Sequence, residues 1–212
     1  MKTLSANPFV SVIVNTCDRP ADLRRCLEAV LGQSYRNFEI VIVNNGAGVE
    51  TLKLLGELGN RFRSSGVPFR VVTDKTKKLS YLFNLGWKNA SPEVKIFAYA
   101  ADDTEPDKDW LLNVVDYLVK NLSCGGVSGP TLSTTQPPGE MFALYDIMKK
   151  NFFSRVFLRL YEYFVMEDKT FAPGHWPESG AFTMGAGIPL PGIKEPIEID
   201  LLTSGNMGVT RA

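Results

Sequence analysis

Two nearly continuous apolar runs constrain this chain most: Val10-Ser11-Val12-Ile13-Val14 and Phe38-Glu39-Ile40-Val41-Ile42-Val43. Such β-branched runs suit strands buried on both faces, which is the condition of a parallel sheet. Between them stands Pro20, where a helix can begin because the missing N–H is not needed in the first turn. Leu23, Cys26, Leu27, Val30 and Leu31 follow at helical spacing, and Gly32 offers a stop. Residues 10–43 therefore read as strand, helix, strand. In such a βαβ unit both strands end on the same edge of the sheet.

The alternation continues. Residues 51–58 read as a helix, 69–72 as a short strand, 80–89 as a helix and 94–99 as a fourth strand. Residues 107–121 read as an amphipathic helix with acids in its first turn, as the helix dipole favours. The expected class is α/β, a mostly parallel central sheet flanked by helices. Beyond Pro130 the character changes. Residues 133–139 look like a linker, and 141–166 combine aromatics with Lys149, Lys150, Arg155 and Arg159, as one or two helices would. Residues 171–196, rich in Gly and Pro, read as loop. Residues 197–202 alternate like a short strand, and 203–211 read as a turn into another strand. Three regions are expected: an α/β half over 8–134, an amphipathic helical insertion over 135–170 and a C-terminal segment over 171–212.

Composition narrows the function classes. The 212 residues suit one domain, or one with a small lobe. With 44% hydrophobic and 22% charged residues, the chain has material for a core. Lys+Arg and Asp+Glu both total 23, so the basic excess of a general nucleic-acid binder is missing. Cys17, Cys26 and Cys124 form no CxxC pair, which points to a reducing compartment rather than a disulfide framework. The opening MKTLSANPFV lacks a signal-peptide apolar run, and no stretch reaches the roughly 18 apolar residues of a membrane span. A cytoplasmic location is expected, at the inner face of a membrane if the aromatic segment lies on one.

The residues with chemical potential fall at strand ends. Asp102-Asp103 follows an apolar strand directly, at the edge where parallel sheets bind ligands. Paired carboxylates there suit Mg²⁺ or Mn²⁺, which would bridge to phosphates. A solvated turn with a capping acid would use the same residues, and Glu105 and Asp107 would serve either purpose. Residues 15–19 (NTCDR) follow the first strand and can hydrogen-bond a base or ribose; a plain helix cap is the alternative. Asn44-Asn45 follow the second strand, where side-chain amides can read a pyrimidine edge or simply form a turn before Gly46. The three together fit a nucleotide diphosphate with a metal. A phosphorelay receiver also gathers acids at a sheet edge, but its acid pair would follow the first strand, where Asn15-Thr16 stands.

The segment VSVIVNTCDRPADLRRCLEAVLGQSYRNFEIVIVNNGA resembles the opening of the family 2 glycosyltransferases, which have the Rossmann-like GT-A fold. LSYLFNLGWKNASPEVKIFAYAADDTEPDKDWL resembles the family's next block, with its acidic metal motif. IEIDLLTSGNMGVTRA resembles its acceptor-side segment. The likeness covers residues 8–134 and 178–212. It implies that Asn15, Thr16 and Asp18 line the nucleobase and ribose pocket, with Asn45 where an acid usually contacts the base. It implies that Asp102 approaches the ribose or metal, and that Asp103 is the metal ligand holding the diphosphate. Gly205, Asn206 and Met207 would lie beside donor sugar and acceptor.

Departures from the pattern are Cys17 for the usual Tyr, Asn44-Asn45 for an acid pair, and Ala101 for the first acid of the metal motif. The usual Gly and Arg before the helix Asn are Lys78 and Phe83, so Lys75, Lys77 or Lys78 is the candidate substitute for that Arg. The family's catalytic base follows the acceptor-side segment by some tens of residues. It is therefore expected beyond Ala212, in a longer enzyme.

The implied activity is a metal-dependent, inverting transfer of a sugar from a nucleotide diphospho-sugar to the hydroxyl of a glycan or lipid-linked acceptor. The alternative is a non-catalytic nucleotide-sugar-binding or assembly module, motivated by Ala101 and the missing base. His175 is expected to be structural, and Trp176 to stack on a sugar or anchor its loop. Residues 152–166 carry two readings, a helix on a membrane surface or, preferred, one packed on the sheet or a partner chain. Glu195, Glu198 and Asp200 match no expected base by position.

Overall fold

The computed structural model describes residues 4–76, 78–129, 150–165, 195–200, 202 and 205–211. The elements run β1 (Val10–Thr16), α1 (Pro20–Leu31), β2 (Phe38–Asn44), α2 (Val49–Ser64), β3 (Phe69–Thr73), α3 (Leu79–Lys88), β4 (Ile96–Ala101), α4 (Trp110–Lys120), β5 (Gly126–Ser128), α5 (Phe152–Phe164) and β6 (Asn206–Thr210). The chain divides into two compact units, residues 1–127 with 204–212, and residues 128–203.

Six strands form one sheet in the order β3-β2-β1-β4-β6-β5. The pairs β1–β2, β1–β4 and β2–β3 are parallel, and β4–β6 is antiparallel. β1 and β2 are buried almost throughout, as their apolar runs require. The chain steps outward from β1 to β2 to β3, then returns to lay β4 on the other side of β1. The strand order thus reverses between β1 and β4, and a crevice opens at their carboxyl ends, where open α/β sheets bind ligands.

Two apolar clusters cover the sheet. One joins β1, β2 and β4 to α1, α2 and α4 through Leu23, Leu27, Leu54, Leu58, Phe62, Leu111 and Leu118. The other gathers Ile13, Val41, Val43, Leu82, Phe97 and Tyr99, with Phe83 and Met207 packed against it. On α3, Gly86 lies so close to β1 that a Cβ there would run into Ile13. Gly208 of β6 faces Val114 of α4 just as closely.

Several boundaries differ from expectation. β4 begins at Ile96 and runs to Ala101, because its register with β1 pairs Val10 with Ile96 and Asn15 with Ala101. α4 starts at Trp110, so the acids expected in its first turn precede it instead. β5 carries no strong apolar signal and was not anticipated. Residues 197–200, expected as a strand, are not one. The linker at 133–139, residues 171–194 of the loop expected over 171–196, Lys77, His175 and Trp176 lie outside the described residues.

In the second unit, α5 confirms a helix within 141–166. Its buried side is narrow, with Leu158 fully covered and Ser154 and Glu162 partly so. The apolar half that a packed helix would bury is exposed. Among the described residues no helix is long and apolar enough to cross a membrane.

Candidate active site at the β1–β4 crevice

β1 ends at Thr16, opposite Asn44 of β2, while Asn15 pairs with both Val43 and Ala101. The loops after β1, β2 and β4 therefore open on one edge. Ala101 is the last residue of β4, so Asp102 emerges directly beside the end of β1. The sheet register thus carries the two acids of the sequence motif into the crevice.

Asp102 is buried, its side chain only 2% exposed, whereas Asp103 is about half exposed. Arg19, from the loop after β1, reaches both. Its Nη2 lies 2.7 Å from Asp102 Oδ1, and its Nη1 lies 2.9 Å from Asp103 Oδ2. Desolvation pushes the Asp102 carboxyl above its ordinary value, reinforced by the Asp103 charge; Thr16 and Arg19 pull it back. The Thr16 hydroxyl is near enough to exert that pull. Even so, neither Thr16 Oγ1 nor Asp102 Oδ2 makes a hydrogen bond of regular geometry, and Asn15 Oδ1 has none either. Buried oxygens without partners are costly, so this crevice has polar capacity that the protein itself does not use.

The flanking loops are braced by the other candidates. Asp18 adopts a positive φ of 49° and turns its carboxylate toward the start of α2. There Oδ1 accepts from Gly48 N at 2.9 Å and from the Thr51 hydroxyl at 3.4 Å, capping a helix from a neighbouring loop. Asn44 Oδ1 accepts from Ala47 N at 3.0 Å and closes the turn. Asn45, with its amide oriented to donate, bonds the carbonyls of Asp74 and Thr76 at 3.1 Å each, tying down the loop after β3. Lys75 and Lys78 are exposed in that loop. Phe83, where the resembled pattern has Arg, packs edge-on against Tyr99 with ring centroids 5.2 Å apart.

β6 brings Gly205, Asn206 and Met207, the residues expected on the acceptor side, to the same end. Ala101 N donates to Gly205 O at 3.2 Å. Trp110 Nε1 donates to Asn206 Oδ1 at 2.7 Å. Met207 pairs with Tyr99 and packs with the second apolar cluster. Asn15, Thr16, Asp18, Asn45, Asp102, Asp103, Gly205 and Asn206 thus gather on one edge, with Met207 beneath them.

Three residues that hold the site were not singled out from the sequence. In the sequence Arg19 is one member of the 15–19 loop, with no sign of a partner at 102 or 103. Trp110 falls inside the expected helix over 107–121 and carries no signal of its own. Gln33 belongs to the resembled Q-S-Y stretch and is buried. Its Oε1 accepts from Leu111 N at 2.9 Å and its Nε2 donates to Asp107 O at 2.7 Å, so it caps α4 and fixes the loop that follows the acids. Glu105 pairs with Arg25 at 2.9 Å, and Asp107 Oδ1 accepts from Asp109 N at 3.0 Å, so both serve the loop itself. Cys26 donates to Ala101 O at 3.3 Å, and burial pushes its thiol up to about 12.

Among the described residues no three His, Cys, Asp or Glu side chains converge to hold a metal by themselves. A Mg²⁺- or Mn²⁺-type site needs less, because one or two carboxylates are completed by substrate phosphates and water. Asp103 and the unpartnered Asp102 Oδ2 are hard oxygen donors of that kind, so the residues present fit such an ion.

Comparison with known proteins agrees with this architecture. The model of the family "Glycosyl transferase family 2" matches residues 11–176. Glycosyltransferase AglE of Haloferax volcanii is 27% identical over 184 residues, covering 82% of this chain and 57% of that protein. A dolichyl N-acetyl-α-D-glucosaminyl phosphate 3-β-D-2,3-diacetamido-2,3-dideoxy-β-D-glucuronosyltransferase of Methanococcus voltae is 28% identical over 110 residues, covering 51% of this chain and 33% of that protein. The chain thus spans between a third and three fifths of the length of these relatives. The mannosyltransferase PcManGT from Pyrobaculum calidifontis, solved with GDP-Man and Mn²⁺, shares the fold with a TM-score of 0.53 at 20% identity, over 67% of this chain and 39% of that one. The fold is therefore the GT-A fold expected from the sequence, and the chain belongs to glycosyl transferase family 2.

Proposed function

We propose that this chain forms the donor-binding half of a metal-dependent, inverting glycosyltransferase. The carrying observation is the Asp102-Asp103 pair at the β1–β4 crevice, beside buried oxygens that make no hydrogen bond of regular geometry among the described residues. A nucleotide diphospho-sugar would lie across this edge, its base and ribose toward Asn15, Thr16, Asp18 and Asn45. Asp103, with Asp102 behind it, would hold Mg²⁺ or Mn²⁺. When bound, that ion supplies positive charge against the leaving diphosphate.

This chain's own residues do the positioning. Gln33 fixes the acid loop. Asp18 and Asn45 brace the pocket walls, and Trp110 holds Asn206 toward the donor sugar. Gly205, Asn206 and Met207 would border sugar and acceptor. Inversion requires a base to take the acceptor hydroxyl's proton as the hydroxyl attacks the anomeric carbon; none of the described residues is assigned that task. The GDP-Man and Mn²⁺ of PcManGT and the lipid-phosphate acceptor in the Methanococcus voltae enzyme's name indicate the ligand classes to try.

Titration calorimetry with UDP- and GDP-sugars, with and without Mn²⁺, tests the donor site. Binding of one donor that requires the ion is the expected result; no binding, or equal binding of every nucleotide without metal, sinks the proposal. A non-catalytic binding module would share the pocket. It is distinguished by donor binding without transfer or donor hydrolysis in a protein that carries the base.

We further propose that α5 lies on an anionic membrane surface. At about 3.6 residues per turn, Phe152, Phe153, Val156, Phe157, Leu160, Tyr161, Tyr163 and Phe164 fill one contiguous half of the helix, and all are exposed. Arg155 and Arg159 border that half, with Lys150 before it. Aromatics flanked by cations are the pattern of an interfacial helix. The chain is expected to co-sediment with vesicles containing anionic lipid and to lose that binding in Phe153→Asp/Phe157→Asp. Equal recovery of the two proteins with the vesicles contradicts this placement.

A further inference from the structure

The guanidinium of Arg19 stands where a cation would be held. It contacts one oxygen of each acid, Asp102 Oδ1 and Asp103 Oδ2, at 2.7 and 2.9 Å. These residues are 83 and 84 positions away in sequence, so the contact is made by the sheet register and not by local chain geometry. Two adjacent carboxylates, one of them buried, repel each other unless a positive group lies between them. Arg19 supplies one positive charge against two negative ones, which leaves the pair incompletely neutralised. Its side chain is itself half exposed, so the guanidinium has solvent on one side and room to turn.

We propose that Arg19 is a built-in stand-in for the divalent cation: it holds the acids together in the free chain, yields to the ion, and turns its guanidinium to the donor diphosphate. This rests on the donor-site assignment above. The consequence is coupling between two ligands. An ion entering alone must displace Arg19 and leave that charge beside its own. An ion entering with a diphosphate does not, because the displaced fork finds phosphate oxygens, for which its planar geometry is suited. Ion and diphosphate then strengthen each other's binding, by the same factor in both directions. The arrangement gives the site a reason to reject the metal until the donor is present.

The test uses the 212-residue chain and three probes: Mn²⁺ alone, followed by the paramagnetic resonance of the free ion, and UDP and GDP, followed by calorimetry. In Arg19→Gln, Mn²⁺ alone is expected to bind about tenfold tighter, since a neighbouring positive charge is gone. UDP or GDP at saturating Mn²⁺ is expected to bind about tenfold weaker, since a charged phosphate partner is gone. Unchanged or weaker Mn²⁺ binding by Arg19→Gln, in protein with the wild-type circular dichroism spectrum, overturns the inference. The donor assignment survives that result if nucleotide binding still depends on Mn²⁺ and Asp103, and falls with the inference if neither protein binds Mn²⁺ even with UDP or GDP present.

A measurement on the wild-type chain decides independently of the variant's folding. The Arg19 Nε–H resonance, assigned by its loss in Arg19→Lys, is expected to shift when Mg²⁺ and the nucleotide are added together. A resonance that stays in place at saturation shows that Arg19 does not leave the acids, and overturns the inference.

Discussion

Asp103→Asn is expected to weaken Mn²⁺-dependent donor binding by roughly 100-fold, the scale seen when a preorganised charged contact is removed from a site that acts by electrostatics. The substitution keeps the size of the side chain and one oxygen, but removes the negative charge that a hard divalent ion needs. Stability should hardly change. The Asp103 carboxylate is half exposed and its pairing with Arg19 is solvent-screened, a class of interaction that contributes little. Calorimetry with the preferred donor, at matched Mn²⁺ and beside a thermal melt, separates the two effects. Wild-type affinity in a folded Asp103→Asn protein would remove the acid from the metal site. The same affinity loss with a collapsed melting temperature would show that the residue holds the fold instead.

Phe62→Ala is expected to destabilise the first unit by about 3–5 kcal/mol, the range for deleting a large buried ring. Phe62 is on the last turn of α2, has no solvent exposure and lies within the larger apolar cluster. Its ring centroid is 5.4 Å from that of Phe69, so it ties α2 to the edge strand β3. Beside it, Gly59 is so close to Phe69 that a Cβ would lie 2.9 Å from the ring, which leaves α2 little freedom to settle into the cavity. A domain of this kind has only about 5–15 kcal/mol in total, so the variant loses a large part of it. Leu52→Ala, on the half-exposed side of the same helix, should stay within about 0.5 kcal/mol of wild type. Urea titrations of the three proteins check the contrast. Equal midpoints for Phe62→Ala and wild type would mean that α2 does not depend on this contact.

Both expected results rest on features of different visibility. The acids at 102 and 103 were legible because an apolar strand ended just before them, and a strand end in a parallel sheet is a binding edge wherever its neighbours lie. Their partner was not legible. Arg19 reads locally as a polar residue before a helix, and nothing in its surroundings in sequence points 83 residues ahead. Asp18 illustrates the same limit from the other side. Its sequence position suggests a pocket residue, yet one of its oxygens caps a different helix, because β1 and β2 end side by side and bring the two loops together. The alternation at 197–200 has strand character without being a strand, since a period of two makes a strand only where a partner strand pairs with it.

By itself, the sequence determined the alternation of strands and helices, the core-facing positions and the chemical types at the strand ends. These depend on side-chain period and chain stiffness, which act over a few residues. Only the tertiary structure decided the rest: that β4 returns to lie beside β1, that β6 runs antiparallel along β4, and that one arginine joins two acids in the crevice between. Those outcomes depend on which strand edges meet and in what register, a choice made by the whole sheet at once and carried by contacts between residues far apart in the chain.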